Sequence, residues 1–349
     1  MISPEWFDKI WEDGLVKGKS PYYIAKKDRK QAIFDINGNM ISPEWYDDIS
    51  SDGLVWGEGN YYFVRKDDKC AIFDKDGNMI SPGWCNKIYG VLEKGYYIVE
   101  KDGMYAIFDI NGKMLSPDWF YEIKEYGLLR GLNDYYIAKK GDKYAIFDKN
   151  GNQISPEWFD EISSFGLVDG KSEYYVAKKD ELYAIFDKNG KRITEWFDKI
   201  WEDGLVKGES KYYLAEKDGK MAVFDISGRM ISPEWFDYVN SFFGLVRGQS
   251  KYCIARENKN MKYIIFDENG RIITPEWLDK IKEDGLIKGE SDYFVAEKDE
   301  KEAIFDDNGN QISEWFDRIF CKELLKGESE YYMACNKGSC AIYHKDGKK

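Results

Sequence analysis

This 349-residue sequence predicts an all-β fold of nine tandem antiparallel meanders, each about 39 residues long. Three observations predict it. A tryptophan recurs as Trp6, Trp45, Trp84, Trp119, Trp158, Trp196, Trp235, Trp277 and Trp315, which marks nine units. Short aromatic and β-branched runs alternate with Asn-Gly and Asp-Gly turns, the pattern of strands joined by tight hairpins. No unit contains an apolar pattern of helical period and helical length.

One clean copy shows the elements in order. Ile154-Ser155-Pro156-Glu157-Trp158-Phe159-Asp160-Glu161-Ile162 carries a helix-start signal at Ser-Pro-Glu, yet Ile154, Trp158 and Ile162 alternate as in a strand. We read it as a strand with at most one helical turn. Gly166-Leu167-Val168-Asp169-Gly170 reads as a short fourth strand at the edge of the unit. Tyr174–Lys179 and Tyr183–Asp187 read as the central hairpin. Asp187-Lys188-Asn189-Gly190 is a turn that tolerates positive φ.

A three- or four-stranded unit cannot bury both of its faces alone, so neighbours stack. Residues 1–349 therefore form a single repeat array. A propeller-like closed ring is favoured over an open β-solenoid or superhelix. The chain begins and ends inside the Asn-Gly hairpin, at Met1-Ile2 and Asp346-Gly347, so a ring would close by pairing these half-hairpins. Residues 6–18 and 196–208 are the same thirteen letters, so duplication built the array.

The repeat explains the composition. Aromatic residues make up 17% of the chain, and most occupy fixed repeat positions, where large aromatics are read as core rather than as platforms for sugars. The formal charge of −13 argues against a protein that binds nucleic acid through its phosphates. A single histidine removes the commonest acid/base and metal chemistry. No signal peptide and no membrane-spanning run occurs in this chain, which points to a cytoplasmic protein. Cys70, Cys85, Cys253, Cys321, Cys335 and Cys340 are scattered, and reduced, buried thiols are expected. Cys335, Cys340 and His344 fit no zinc-ligand spacing, so neither metal nor cofactor is expected.

Lys143-Tyr144-Ala145-Ile146-Phe147-Asp148-Lys149-Asn150-Gly151, then Ile154 and Pro156, then Phe159-Asp160, resembles the unit of the bacterial WG-repeat (KWG) family. The resemblance extends over all nine units. It departs at the family's Trp-Gly, which is Tyr144-Ala145 here, and at the added Gly-Leu-Val-x-Gly segment. It implies an all-β, non-enzymatic repeat protein and carries over no catalytic residue.

Aspartates recur after the Trp-Phe pair and after Ile-Phe, and both sets are read as turn-stabilising. Two other positions are candidates for binding. The fifth residue after each Trp varies among Ser, Lys and Asn, so it is read as exposed. Its aromatics Trp11, Tyr89, Trp201 and Phe320 are then candidate partner contacts. The residue before the second Gly of Gly-Leu-Val-x-Gly is Lys17, Trp56, Lys94, Arg130, Asp169, Lys207, Arg247, Lys288 and Lys326, a basic line in an acidic protein. The function expected is a non-catalytic scaffold for a protein partner. Lectin-like carbohydrate binding is the alternative, and homo-assembly through the uncapped ends is a third reading.

Overall fold

In a computed structural model, residues 3–89, 95–124 and 127–346 are described. They form nine three-stranded antiparallel sheets, each with its strands in sequence order. The chain divides into two compact units, Met1–Ser155 with four sheets and Pro156–Lys349 with five. Among the described residues no helix is long and apolar enough to cross a membrane. Met1, Ile2, Lys94 and Gly347 lie outside the described residues.

The fifth sheet illustrates the pattern. Glu161–Ile162, Tyr174–Lys179 and Leu182–Asp187 lie side by side, with Tyr175 opposite Phe186 and Ala177 opposite Ala184. Three consecutive residues at the centre of each long strand of this sheet are buried, because both of its faces are covered. This is why the strands read as continuous apolar runs without polar alternation. Val176 and Ile185 point one way and pack with Phe197 of the connecting segment and with Ile200, Tyr213 and Phe224 of the next sheet. Leu214 and Val223 of that sheet do the same with Phe236 of the next connecting segment and with Val239 and Phe266 of the seventh sheet. Alanines such as Ala215 and Ala222 face back toward the previous sheet and leave room for the larger chains.

The recurrent tryptophan is not the centre of the core. Trp45, Trp84, Trp119, Trp158, Trp196, Trp235, Trp277 and Trp315 are half-buried, and Trp6 is 88% exposed. The residue after it is the buried one, as at Tyr46, Phe120, Phe159 and Phe197. The tryptophan instead packs at the core margin, with the Trp196 ring edge-on to Phe186, centroids 6.0 Å apart.

The expected Trp-containing strand is split between two sheets. Phe197 exchanges both backbone hydrogen bonds with Tyr183 of the fifth sheet, at 2.8 and 2.9 Å. Two residues later, Lys199–Ile200 pairs with Glu216 and Ala215 of the sixth. One segment thus stitches consecutive sheets together. The Ser-Pro start forms no helix. The serine or threonine oxygen instead accepts the N–H of a strand residue nine positions earlier, as from Ile33 to Ser42 at 3.1 Å and Ile185 to Thr194 at 3.0 Å.

Gly-Leu-Val-x-Gly is not a fourth strand. It is a turn between glycines at positive φ, Gly204 at 81° and Gly208 at 70°. A Cβ on Gly204 would stand 2.7 Å from the Val246 carbonyl, so no side chain fits. The fourth copy tightens this turn to a 3₁₀ helix, Gly127–Arg130, and the last to one α turn, Lys322–Leu325.

The cysteines also differ from expectation. Cys335 and Cys340 are joined as a disulfide across the last hairpin, where they stand directly opposite each other. Cys70 and Cys340 moreover occupy the same repeat position, the second residue of the outer strand.

Candidate functional site

The repeated acids hold turns. Asp35 Oδ1 accepts the N–H groups of Asn37 and Asn39 at 2.9 and 2.8 Å, and equivalent pairs recur at Asp74, Asp109, Asp148, Asp187, Asp225, Asp267 and Asp306. The second set, including Asp47 and Asp279, caps the central hairpin by accepting the N–H of Asp67 and Asp299 at 2.9 and 2.8 Å. Asp67 and Asp299 have φ near 50°, so this bond supports a left-handed turn. Hydrogen bonding to Lys30 and to the Asp67 N–H holds the Asp47 carboxyl below the usual carboxylate range. Bonds from Asn39 do the same for Asp35. Among the described residues, no group of three or more His, Cys, Asp or Glu is placed to hold a metal.

The fifth position after each Trp is half-buried rather than exposed, because it lines the groove between consecutive sheets. Trp11, Tyr89 and Trp201 are half-buried, Asn240 is fully buried, and of the four aromatics only Phe320, at 44%, is exposed. Trp201 forms one wall of a groove of 320 Å³ between the fifth and sixth sheets, facing Val176, Lys178 and Tyr183. Glu161, Glu202 and Lys207 also line it. A groove of 500 Å³ between the second and third sheets uses the matching residues: Phe63, Arg65, Cys70 and, opposite them, Tyr89. The same position therefore builds a groove in each compact unit.

A cation lies over Trp11, Trp201 and Phe320. Lys199 Nζ lies 4.4 Å from the Trp201 ring centroid, Lys9 Nζ 4.6 Å from Trp11, and the Arg318 guanidinium 4.8 Å from Phe320. The two partners are two residues apart, Arg318 and Phe320 on one short strand, and Lys9 and Lys199 on strands that end one residue before Trp11 and Trp201. A signal in the sequence marks this site. Each of the four aromatics has Lys or Arg two residues earlier, whereas of the five other copies only Lys282 does.

The basic line is placed on the Gly-Leu-Val-x-Gly turns and is largely paired. Lys17 pairs with Asp13 at 2.8 Å, Lys207 with Asp203 at 2.9 Å, and Lys288 with Asp284 at 2.6 Å. Arg247 reaches across to the previous copy, to Asp203 at 3.2 Å and Glu209 at 2.7 Å. Arg130 and Lys326 are exposed on the same turn. These cations also meet aromatics of adjoining copies. Lys17 lies 5.9 Å from the Trp56 ring centroid, Lys207 5.1 Å from Phe165 and Lys288 4.8 Å from Phe243. Phe165 and Phe243 are off-pattern aromatics that reading single copies overlooks. Repeat-length spacing reveals such contacts, as in the bond from Ser163 to Glu202, 39 residues on. In the last copy His344 lies between Glu330 and Asp346, at 3.5 and 3.1 Å.

No family model matches the chain. No curated protein matches it. Among solved structures it is similar to Hsv2 of Kluyveromyces lactis, with 10% identity over 74% of this chain and 89% of that one, at a TM-score of 0.29. It is similar to a eukaryotic initiation factor, with 11% identity over 94% of each chain, at 0.31. It is similar to the β-propeller domain of Cps50 (Swd1) from Myceliophteria thermophila, with 12% identity over 68% of this chain and 89% of that one, at 0.25. Likenesses this weak leave the chain's function to be argued from its own residues.

Proposed function

We propose that the chain is a non-catalytic repeat scaffold that binds a protein partner through its inter-sheet grooves and the turn face beside them. The recurrence of one groove in two places carries this reading, with Trp201 as a wall in one and Tyr89 in the other. Half-buried aromatics held by packing and flanked by charged groups are the residue types that dominate protein interfaces. The repeated acids are engaged in turns, and this leaves the groove residues as the variable, recognition-bearing positions. The test is affinity capture with quantified recovery, comparing the parent chain with Trp201→Ala, Tyr89→Ala and Lys207→Ala. The reading expects a partner retained by the parent and depleted about tenfold by the aromatic variants, a loss of ~1.4 kcal/mol. Equal recovery by all four chains removes the grooves as the binding surface.

A carbohydrate ligand is the second reading. It is favoured by the mixture, in one groove, of an aromatic wall with the carboxylates of Glu161 and Glu202 and the ammonium of Lys178. Such sites bind weakly one at a time and gain by avidity. A blank glycan array at high protein concentration excludes it.

We also read the array as a divergent relative of the WG-repeat family, arranged as a closed ring. Its support is the even repeat, in which the fifth and sixth sheets, and again the sixth and seventh, pack through matching residues. A small-angle scattering curve separates a disc with a central hole from a rod. End-to-end assembly is the third reading, and a species that stays monomeric at every concentration argues against it.

A further inference from the structure

Cys70 and Cys85 face each other across the bridge that ties the second sheet to the segment entering the third. The Cys70 N–H donates to the Cys85 carbonyl and the Cys85 N–H to the Cys70 carbonyl, both at 2.9 Å. In a pair of this type the Cα atoms stand about 5.5 Å apart. Disulfides span Cα separations of about 4.4–6.8 Å. Directly opposed side chains lie on one face of the sheet, and both thiols pack in the same cluster with Ile72 and Tyr97. They are thiols here, Cys70 Sγ against the Cys85 carbonyl and Cys85 Sγ against the Gly83 carbonyl, at 3.5 and 3.2 Å.

The other copies show how unusual the pair is. The same bridge joins Gln31 to Tyr46, Tyr105 to Phe120, Tyr183 to Phe197, Met221 to Phe236, Tyr263 to Leu278, and Glu302 to Phe316. Among the described bridges cysteine enters in one copy only, and there it enters at both ends. The second cysteine at the first of these places is Cys340, and it too has a cysteine directly across from it, Cys335 on its other side, already joined as a disulfide.

We propose that Cys70 and Cys85 are a second disulfide site, a covalent staple between the second and third sheets closed by a low-molecular-weight disulfide such as oxidised glutathione. Cys70 lines the Tyr89 groove and is partly exposed, whereas Cys85 is buried, so Cys70 reacts first. Its thiolate attacks the oxidant and releases one glutathione thiolate. The Cys85 thiolate then attacks the Cys70 sulfur and releases the second. Two protons leave the cysteines and two electrons end on the two glutathiones, so the exchange balances. Burial raises both thiols, Cys85 to about 11, so the pair stays reduced until an oxidant reaches Cys70, and closure is faster at alkaline pH. The staple closes a loop spanning a sequence separation of 15 and restricts the unfolded chain.

The test is oxidation of the folded chain with glutathione disulfide, then alkylation, digestion and mass spectrometry. The expected result is a peptide in which Cys70 is joined to Cys85, with two of the four free thiols lost and a higher thermal midpoint. The double variant Cys70→Tyr with Cys85→Phe restores the bulky pair of other copies. It is expected to fold, to lose no thiol to the oxidant and to keep an unchanged midpoint. The proposal is overturned if Cys70 carries a stable glutathione adduct while Cys85 remains alkylatable. It is equally overturned if both thiols survive oxidation in a chain with native circular dichroism.

Discussion

Lys199 holds its ammonium 4.4 Å from the ring centroid of Trp201, and Trp201 packs its remaining surface against the core that includes Val239 and Phe266. The pair fixes an aromatic wall in a groove without burying it. A cation–π contact at a partly exposed site is worth about 0.5–1 kcal/mol. Lys199→Ala is therefore expected to lower unfolding stability by about that amount in chemical denaturation. No change, with Trp201 fluorescence also unaltered, removes the cation from the site's architecture.

The bond from Ile146 N–H to Ser155 Oγ, 3.1 Å, is one of eight equivalent bonds among the described residues. Ser232→Ala leaves the buried Val223 N–H unpaired and is expected to destabilise the chain by about 1–3 kcal/mol. Ser232→Thr is expected to be tolerated, since Thr194 and Thr274 already serve this role. Equal denaturation midpoints for Ser232→Ala and the parent contradict the assignment.

The Tyr175 hydroxyl is buried and has no hydrogen-bond partner among the described residues, as with Tyr62 and Tyr136. Burial pushes its ionisation well above that of an ordinary tyrosine. Removing an unpaired buried hydroxyl is neutral or favourable. Tyr175→Phe is expected to melt at or slightly above the parent temperature. A loss of more than about 1 kcal/mol shows that the hydroxyl is paired in solution.

Acid stability follows from the turn aspartates. The folded state holds Asp35 and Asp47 below their unfolded values, through Asn39 and Lys30 respectively. A depressed carboxyl contributes stability that is present above the unfolded value, roughly 3.9, and is lost as pH falls through the folded value. Stability is therefore expected to hold from neutral pH down to about 4 and to fall below it. Asp47→Asn keeps an acceptor for the Asp67 N–H and is expected to flatten the acid limb. An unfolding curve whose acid limb is the same with and without Asp47 contradicts this.

Much of the fold is legible in the repeat. The central hairpin is local, so Tyr174–Lys179 and Leu182–Asp187 follow from strand propensity and a two-residue turn. What escapes is decided between copies. Gly-Leu-Val-x-Gly reads as a strand because Leu205 and Val206 are apolar. Its backbone bends because flanking glycines take positive φ against the carbonyls of neighbours. The Trp-containing strand is split because Phe197 pairs backward and Ile200 forward, which no single copy reveals. At the site, variability at the fifth position suggests exposure. The wall is Tyr89 in one groove and Trp201 in another, and the two grooves differ in volume, 500 and 320 Å³, so a groove position accepts side chains of different size. The approach of Cys70 to Cys85 escapes for the same reason, since they meet only once the second sheet is stitched to the third, whereas Cys335 and Cys340 are opposed within one hairpin.

The central claim is that the inter-sheet grooves are the binding surface. Its most direct test places a photo-cross-linking amino acid at position 163, which lines the Trp201 groove, and separately at position 226, which lies on the Asp225 turn away from it. The account predicts a covalent protein adduct at position 163, lost in the Trp201→Ala background, and none at position 226. Adducts of equal yield at both positions, or an adduct at 163 that persists without Trp201, contradict it.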